Sequence, residues 1–248
     1  MAKLNKMRAL LFSDLHESFK QLRNLESFLK QEKPEAVIFA GDFLNMGETA
    51  GFAKEFIQVL KLTASNFLWV PGNNDFGRSY HLLNSQFKSL EGRVVSQFGK
   101  KFCGVGGSPA SWAGQYSGEN MLDEHLIAGS IFVSHVPPPG LLNYRPVDFK
   151  IESSPTIFYK KTKSEASNLA ANASSNTQKR MSDQSQKHFR NSPLVHICGH
   201  IHFQCGVAYL GETKVIKLMP LMDGYYAIMD LDNLQVEFKK FPDKNLLA

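Results

Sequence analysis

The chain has little with which to cross-link itself or to span a bilayer. Its three cysteines, Cys103, Cys198 and Cys205, are odd in number and none stands at Cys-x-x-Cys spacing. That argues against a disulfide framework or a thiolate zinc knuckle and for a reducing compartment, so a cytoplasmic location is expected. Basic residues precede Ala9-Leu10-Leu11-Phe12, but this apolar run is too short for a signal-peptide core or a membrane span, and no membrane partner is expected. Runs of lysine or arginine are also missing. The net charge of +5 therefore suits a polyanionic substrate without amounting to a nucleic-acid signature. Nothing in the composition sets the oligomeric state.

What is present is enough for one sizeable core: 248 residues at 43% hydrophobic fit a single domain over 1–248 better than two small ones. Three times in succession an apolar strand breaks into a polar loop and a helix follows. Residues 7–13 end at Ser13-Asp14-Leu15-His16-Glu17, with a helix from Ser18 to about Lys30. Ala36–Ala40 ends at Gly41-Asp42, with a helix from Thr49 to Leu62. Phe67–Val70 ends at Pro71-Gly72-Asn73-Asn74-Asp75, with a helix from about Ser79 to Leu90. Near-continuous apolar strands alternating with amphipathic helices predict a parallel sheet covered on both faces. Ligands of such sheets sit beyond the carboxyl ends of the strands, where each of these polar clusters falls.

Beyond residue 93 short strands are predicted at 94–98, 101–105 and 131–133, the last ending at Ser134-His135 before Val136-Pro137-Pro138-Pro139, with a helix over Glu119–Ile127. Residues 153–192 are rich in Ser, Asn, Gln and Lys and read as a mobile insertion with one helix between Thr177 and Phe189. Lys160, Lys161, Lys163, Lys179, Arg180 and Lys187 read as its solvated surface. The chain closes with a buried strand, Leu194–Cys198, running into Gly199-His200-Ile201-His202, and then with strands at 206–210, 214–218, 225–229 and 236–239 that turn as hairpins at Gly211-Glu212 and Asp232-Asn233. On extended backbone His200 and His202 project to one side, able to face one ion or two neighbouring ions. Gly199 marks a place that needs room or an unusual φ.

The strand ends together offer Asp14, His16, Asp42, Asn73, His135, His200 and His202. Carboxylate, amide and imidazole without thiolate suit Mn²⁺, Fe, Zn²⁺, Co²⁺ or Ni²⁺. These ligands are too many for one tetrahedral ion and about right for two that share a carboxylate. Singly, Asp14 and Asp42 read as helix caps or turn residues, Asn73 as a turn former and His135 as a histidine satisfied by backbone. His81, His125, His188 and His196 belong to no such block, and Trp69 and the phenylalanines read as core.

Asp14-x-His16, Gly41-Asp42, Gly72-Asn73-x-Asp75, the His135 block and Gly199-His200-x-His202 resemble, in order and rough spacing, the five signature blocks of the calcineurin-like metallophosphoesterases. Ser134-His135-Val136-Pro137-Pro138, Cys198–His202 and Gly224-Tyr225-Tyr226-Ala227 look most like the Icc-related predicted phosphoesterases. The resemblance implies an α/β fold, a four-layer α/β/β/α sandwich of two mixed sheets flanked by helices. It implies two divalent ions, manganese favoured, one held by Asp14, His16, Asp42 and His202 and the other by Asp42, Asn73, His135 and His200, with Asp42 bridging. A hydroxide bridging the ions would then attack phosphorus in line, with Asp42, Asn73, Asn74 and His135 as the catalytic set and a small phosphoester or nucleotide as substrate. Asp75 is expected to steady a ligand histidine.

Two departures bear on substrate. Where many members carry a histidine after the asparagine, this chain has Asn74, which can offer an amide N–H to a phosphate oxygen but cannot ionise. Loss of a general acid costs roughly 10²–10⁴-fold on a poor leaving group, which favours phosphodiesters over monoesters. Met219-Pro220-Leu221 stands where relatives often have Asn-Pro-Gly. The alternative is a weak or inactive scaffold of the same fold that binds a protein partner, although a scaffold has no need of all seven ligands. A metallo-β-lactamase-type hydrolase would need a His-x-His-x-Asp-His block, which is absent. Gly72-Asn73-x-Asp75-Phe76 is also similar to the nucleotide-sugar lipid pyrophosphatases of the lipid A pathway, but these carry arginine where Asn74 stands.

Overall fold

In the computed structural model the described residues are 7–45, 50–63, 66–107, 127–138, 158–159 and 193–242. Strands β1 (Arg8–Phe12), β2 (Ala36–Phe39) and β3 (Phe67–Trp69) run parallel, linked through helices α1 (Phe19–Glu32) and α2 (Ala50–Leu60), and α3 (Gly77–Gln86) follows β3. The second sheet takes β4 (Val94–Gln97), β5 (Lys100–Val105), β6 (Ile131–Ser134), β7 (Phe158–Tyr159), β8 (Val195–Cys198), β9 (Gly206–Leu210) and β10 (Thr213–Lys217). The chain then returns to the first sheet with the hairpin β11 (Tyr225–Asp230) and β12 (Val236–Lys240). Strand orders are β12-β11-β1-β2-β3 and β4-β5-β6-β8-β10-β9-β7. Both sheets are mixed and helices flank them: β5, β6, β8 and β10 are parallel, whereas β4, β9, β11 and β12 pair antiparallel with a neighbour.

Side-chain alternation explains why the strands read as unbroken apolar runs. Leu10, Phe12, Val37, Phe39, Phe67 and Trp69 face the helices and meet Leu22, Leu25, Leu29, Phe52, Phe56 and Leu60. Their neighbours Ala9, Leu11, Ala36, Ile38, Leu68 and Val70 face the second sheet and meet Phe102, Ile131, Val133, Ile197 and Ile216. β1, β2 and β3 are thus buried on two sides, and no polar face interrupts them, whereas β12 at the sheet's edge is largely exposed. Cys103, Val105, Ile127 and Phe132 form a smaller cluster on the other face of the second sheet.

Some predicted bounds shift for visible reasons. The third helix ends at Gln86, short of the predicted Leu90, because Phe87 turns extended and its carbonyl accepts the Trp69 indole N–H at 2.7 Å. The second ends in a 3₁₀ turn at Lys61–Thr63. Within the stretch read as a polar insertion, Phe158–Tyr159 pairs parallel with β9, since backbone pairing at a sheet edge needs no apolar composition. The rest of 153–192, with the helix predicted there, and the helix predicted at 119–127 except Ile127, lie outside the described residues. Among the described residues no helix is long and apolar enough to cross a membrane.

Candidate metal centre

Five strands end at one edge of the sandwich, and their loops are stitched together by backbone before any side chain is considered. Asp14 N–H donates to Gly41 O at 2.8 Å, Leu15 and His16 N–H to Asp42 O at 2.8 and 3.1 Å, and Gly199 N–H to His135 O at 2.9 Å. The Met219–Leu221 segment leads into the same edge, with Leu221 and Met222 N–H donating to Ser13 O and Asp14 O at 2.8 and 3.0 Å. The loops are strained where it matters chemically. Asp14, His16, Asp42 and His200 all have positive φ, at 54°, 45°, 62° and 69°. A left-handed conformation costs a non-glycine residue about 1–2 kcal/mol, so the surrounding bonds must over-determine these four.

Asp75 supplies much of that determination. Its buried carboxylate accepts four backbone N–H bonds: Asp42 and Gly72 on Oδ2 at 2.7 and 2.8 Å, Phe43 and Leu44 on Oδ1 at 2.9 and 3.1 Å. Burial and the Asp42 charge push its pKa up against the pull of these donors. This corrects the expectation that Asp75 steadies a histidine. Backbone carbonyls do that instead: His16 Nδ1 lies 3.1 Å from Leu44 O and His135 Nδ1 lies 2.8 Å from Ala40 O. A carbonyl only accepts, so both rings carry a proton on Nδ1 and present Nε2 to the site.

All seven predicted ligands meet at this edge. Asp14, His16 and His202 form one group and Asp42, His135 and His200 another, with the donor atoms of each group within 4.8 Å of one another. His202 Nε2 is 3.2 Å from Asp14 Oδ1 and 3.3 Å from His16 Nε2. His135 Nε2 is 3.3 Å from Asp42 Oδ2, and 3.1 Å from both Asn73 Oδ1 and His200 Nδ1. His16 Nε2 lies 3.8 Å from both Asp14 Oδ1 and Asp42 Oδ2, so Asp42 touches both groups.

His200 and His202 serve two neighbouring groups, the second of the two arrangements expected of them. β8 stops at Cys198, His200 turns left-handed, and the two rings go to different groups. The need at Gly199 is for room: a Cβ there would lie 2.6 Å from Asp14 Oδ2. Asn74 has a further contact that the sequence does not show: its side-chain amide donates one N–H to Asp42 Oδ2 at 2.7 Å, and its backbone N–H donates to Asp42 Oδ1 at 2.8 Å.

The donor set fits a cation. Around His135 Nε2 stand two oxygens that can only accept, and the same holds for the carboxylate facing His202. The charges within the cluster point to the same demand for positive charge. Burial favours a neutral His135, yet Asp42, with Asp14 behind it, pushes this imidazole up to about 9. Burial and the His135 charge push His200 down to about 4. Burial would raise Asp14, but the His202 hydrogen bond and the His135 charge hold it well below the usual carboxylate range. Two ionised carboxylates and converging imidazole nitrogens are what a divalent ion needs.

One buried residue at this edge went unread in the sequence. Lys217 has no exposed surface, and its only signal is a lysine inside the apolar run Val215-Ile216-Lys217-Leu218.

The sequence model of the calcineurin-like phosphoesterase family matches residues 7–204. A search of curated proteins finds no match. Solved structures with this fold include TT1561 of Thermus thermophilus, at 15% identity and a TM-score of 0.60, with 95% of this chain and 99% of that one covered. A dimetal phosphatase from Danio rerio is similar at 11% identity and a TM-score of 0.55, with 96% of this chain and 100% of that one covered.

Proposed function

The chain belongs to the calcineurin-like phosphoesterase family, and on that premise we propose that it hydrolyses phosphoesters, diesters in preference to monoesters, at a centre of two divalent ions. The observation that supports the reading is the division of six candidate donor residues into two adjoining groups with Asp42 in reach of both. Asp14, His16 and His202 would hold one ion, His135, His200 and Asn73 the other, and Asp42 would bridge them. When bound, such ions lower the pKa of water toward neutrality and neutralise charge on the transferring phosphoryl group.

The protein's part is orientation. Leu44 O and Ala40 O keep Nε2 of His16 and His135 free of the tautomeric proton, so these nitrogens can ligate. Asp75 fixes the backbone of Asp42, and the Asn74 amide fixes its carboxylate, so the bridge is set before substrate arrives. No imidazole stands at 74 to protonate a leaving group. Alkyl monoesters, whose poor leaving group needs that proton, are therefore disfavoured.

The test is a panel of bis-p-nitrophenyl phosphate, alkyl monoesters and nucleotides on protein reconstituted with Mn²⁺, Co²⁺ or Zn²⁺, with Asp42→Asn as the blank. Metal-dependent diester hydrolysis that disappears in the blank is expected. Stoichiometric metal without turnover of any substrate would refute the proposal and favour a binding scaffold.

A further inference from the structure

β10 lies between β8 and β9, and Lys217 at its end pairs with Cys198 on one side and with Gly206 on the other. The loop 199–205 leaves one of these strands and returns to the other, so it passes over Lys217 and carries His200 and His202 as it goes. The Lys217 side chain rises into this loop. Its Nζ donates to the carbonyls of Ile201 and Gln204, and at 3.4 Å to that of Leu218. Ile201 is the residue between the two histidines.

Three carbonyl oxygens around one nitrogen require three hydrogens, which the ammonium has and the neutral amine lacks. No carboxylate pairs with Lys217 among the described residues, and burial pulls its pKa down, with the field of Asp14 among the weaker opposing influences. Burying an ammonium this way is unfavourable by comparison with the apolar side chains on either side of it, so packing alone does not account for it. We propose that Lys217 is a positioning residue of the metal centre, an internal cation that gathers the carbonyls of the 199–205 loop and thereby directs His200 and His202 to separate ions. The inference rests on the two-ion reading of the site and extends it to a residue that touches neither donor group.

Mn²⁺ titration of metal-free protein tests this by calorimetry, on wild type, Lys217→Met and Lys217→Ala. Lys217→Met keeps the volume of the stem and loses the charge; its affinity for Mn²⁺ should fall roughly 10-fold or more, the range seen when an outer support of a ligand is removed. Lys217→Ala should fall likewise and recover when ethylammonium is added, while ethanol at the same concentration should not restore it. A variant that melts earlier but binds Mn²⁺ as wild type does would overturn the proposal, because a merely structural role predicts that outcome. Recovery with ethanol would overturn it too. Should neither variant fold, the protected ¹⁵Nζ ammonium resonance of Lys217 in the wild-type protein must shift when Zn²⁺ binds, and an unmoved resonance overturns the role. Wild-type protein that takes up no Mn²⁺ would instead strike down the two-ion reading, and this role with it.

Discussion

Replacing Gly72 by alanine should weaken the metal centre by about 10²-fold while leaving most of the fold in place. The φ of Gly72 lies outside the left-handed region, so an alanine meets no backbone strain there and the whole effect is steric. A Cβ built at Gly72 falls 2.0 Å from Asp42 Oδ1, 2.5 Å from Asp42 Cγ and 2.4 Å from Asp42 N. Rotating the carboxylate relieves the first two contacts but not the third. The Asp42 nitrogen cannot retreat freely either, because it and Gly72 N both donate to Asp75 Oδ2. The two loops must therefore separate by something on the order of 1 Å, a displacement that costs an active site about 10²-fold even when it arises far from the chemistry. In stability the change resembles overpacking, about 1–3 kcal/mol, and each kcal/mol lowers Tm by about 2–4 °C in a chain of this size. Metal content by atomic emission and Mn²⁺ titration read the first effect, and a melt followed by circular dichroism reads the second. Gly72→Ala protein that is folded and holds two ions with wild-type affinity would refute the reasoning, since Asp42 would then not be held where both loops press on it.

Further outcomes follow from the same contacts. Asp75→Asn replaces one carboxylate oxygen by an amide nitrogen and leaves two backbone donors facing another donor, at about 1–3 kcal/mol each, so the urea midpoint should drop and metal affinity with it; an unchanged midpoint would count against Asp75 as the clasp. Asn74→His should raise activity on β-glycerophosphate relative to bis-p-nitrophenyl phosphate, and an unchanged ratio at equal metal content would remove the argument for diester preference. Chelation should lower Tm, because ligand at about 100 times its Kd stabilises the folded state by ~2.7 kcal/mol, or about 5–10 °C here. Identical melts with and without EDTA would show that no ion is bound.

Which residues meet at the site was legible because this architecture places its chemistry immediately after strands, and strands announce themselves as apolar runs. Asp14, Asp42 and Asn73 each follow such a run by a few residues, and the sheet's parallel order brings their loops to one edge. The two-sided burial of β1–β3 was legible for the same reason. The roles of the supporting residues were not. Asp75 reads as one more polar residue of a turn, and nothing in Gly72-Asn73-Asn74-Asp75 shows that its oxygens reach the backbone of a different loop, at Asp42–Leu44. Nor does the sequence show that the Asn74 amide reaches Asp42. Period-two alternation could not choose between one ion and two for His200 and His202, because it holds only on extended backbone and the strand had already ended.

The sequence by itself thus determined the donor types, their order, their positions at strand ends and the family, all of which depend on local pattern. It took the folded arrangement to show which imidazole keeps company with which carboxylate, that four of the candidate ligands sit in left-handed backbone, and that Asp75 and Lys217 hydrogen-bond to the backbone of neighbouring loops. The physical reason is that these are contacts between segments far apart in the chain. A carboxylate accepting N–H bonds from two loops, or an ammonium gathering three carbonyls, satisfies backbone groups, and backbone groups are the same in every residue. Their recruitment leaves no mark in the order of side chains beyond one charged residue where an apolar one would pack better.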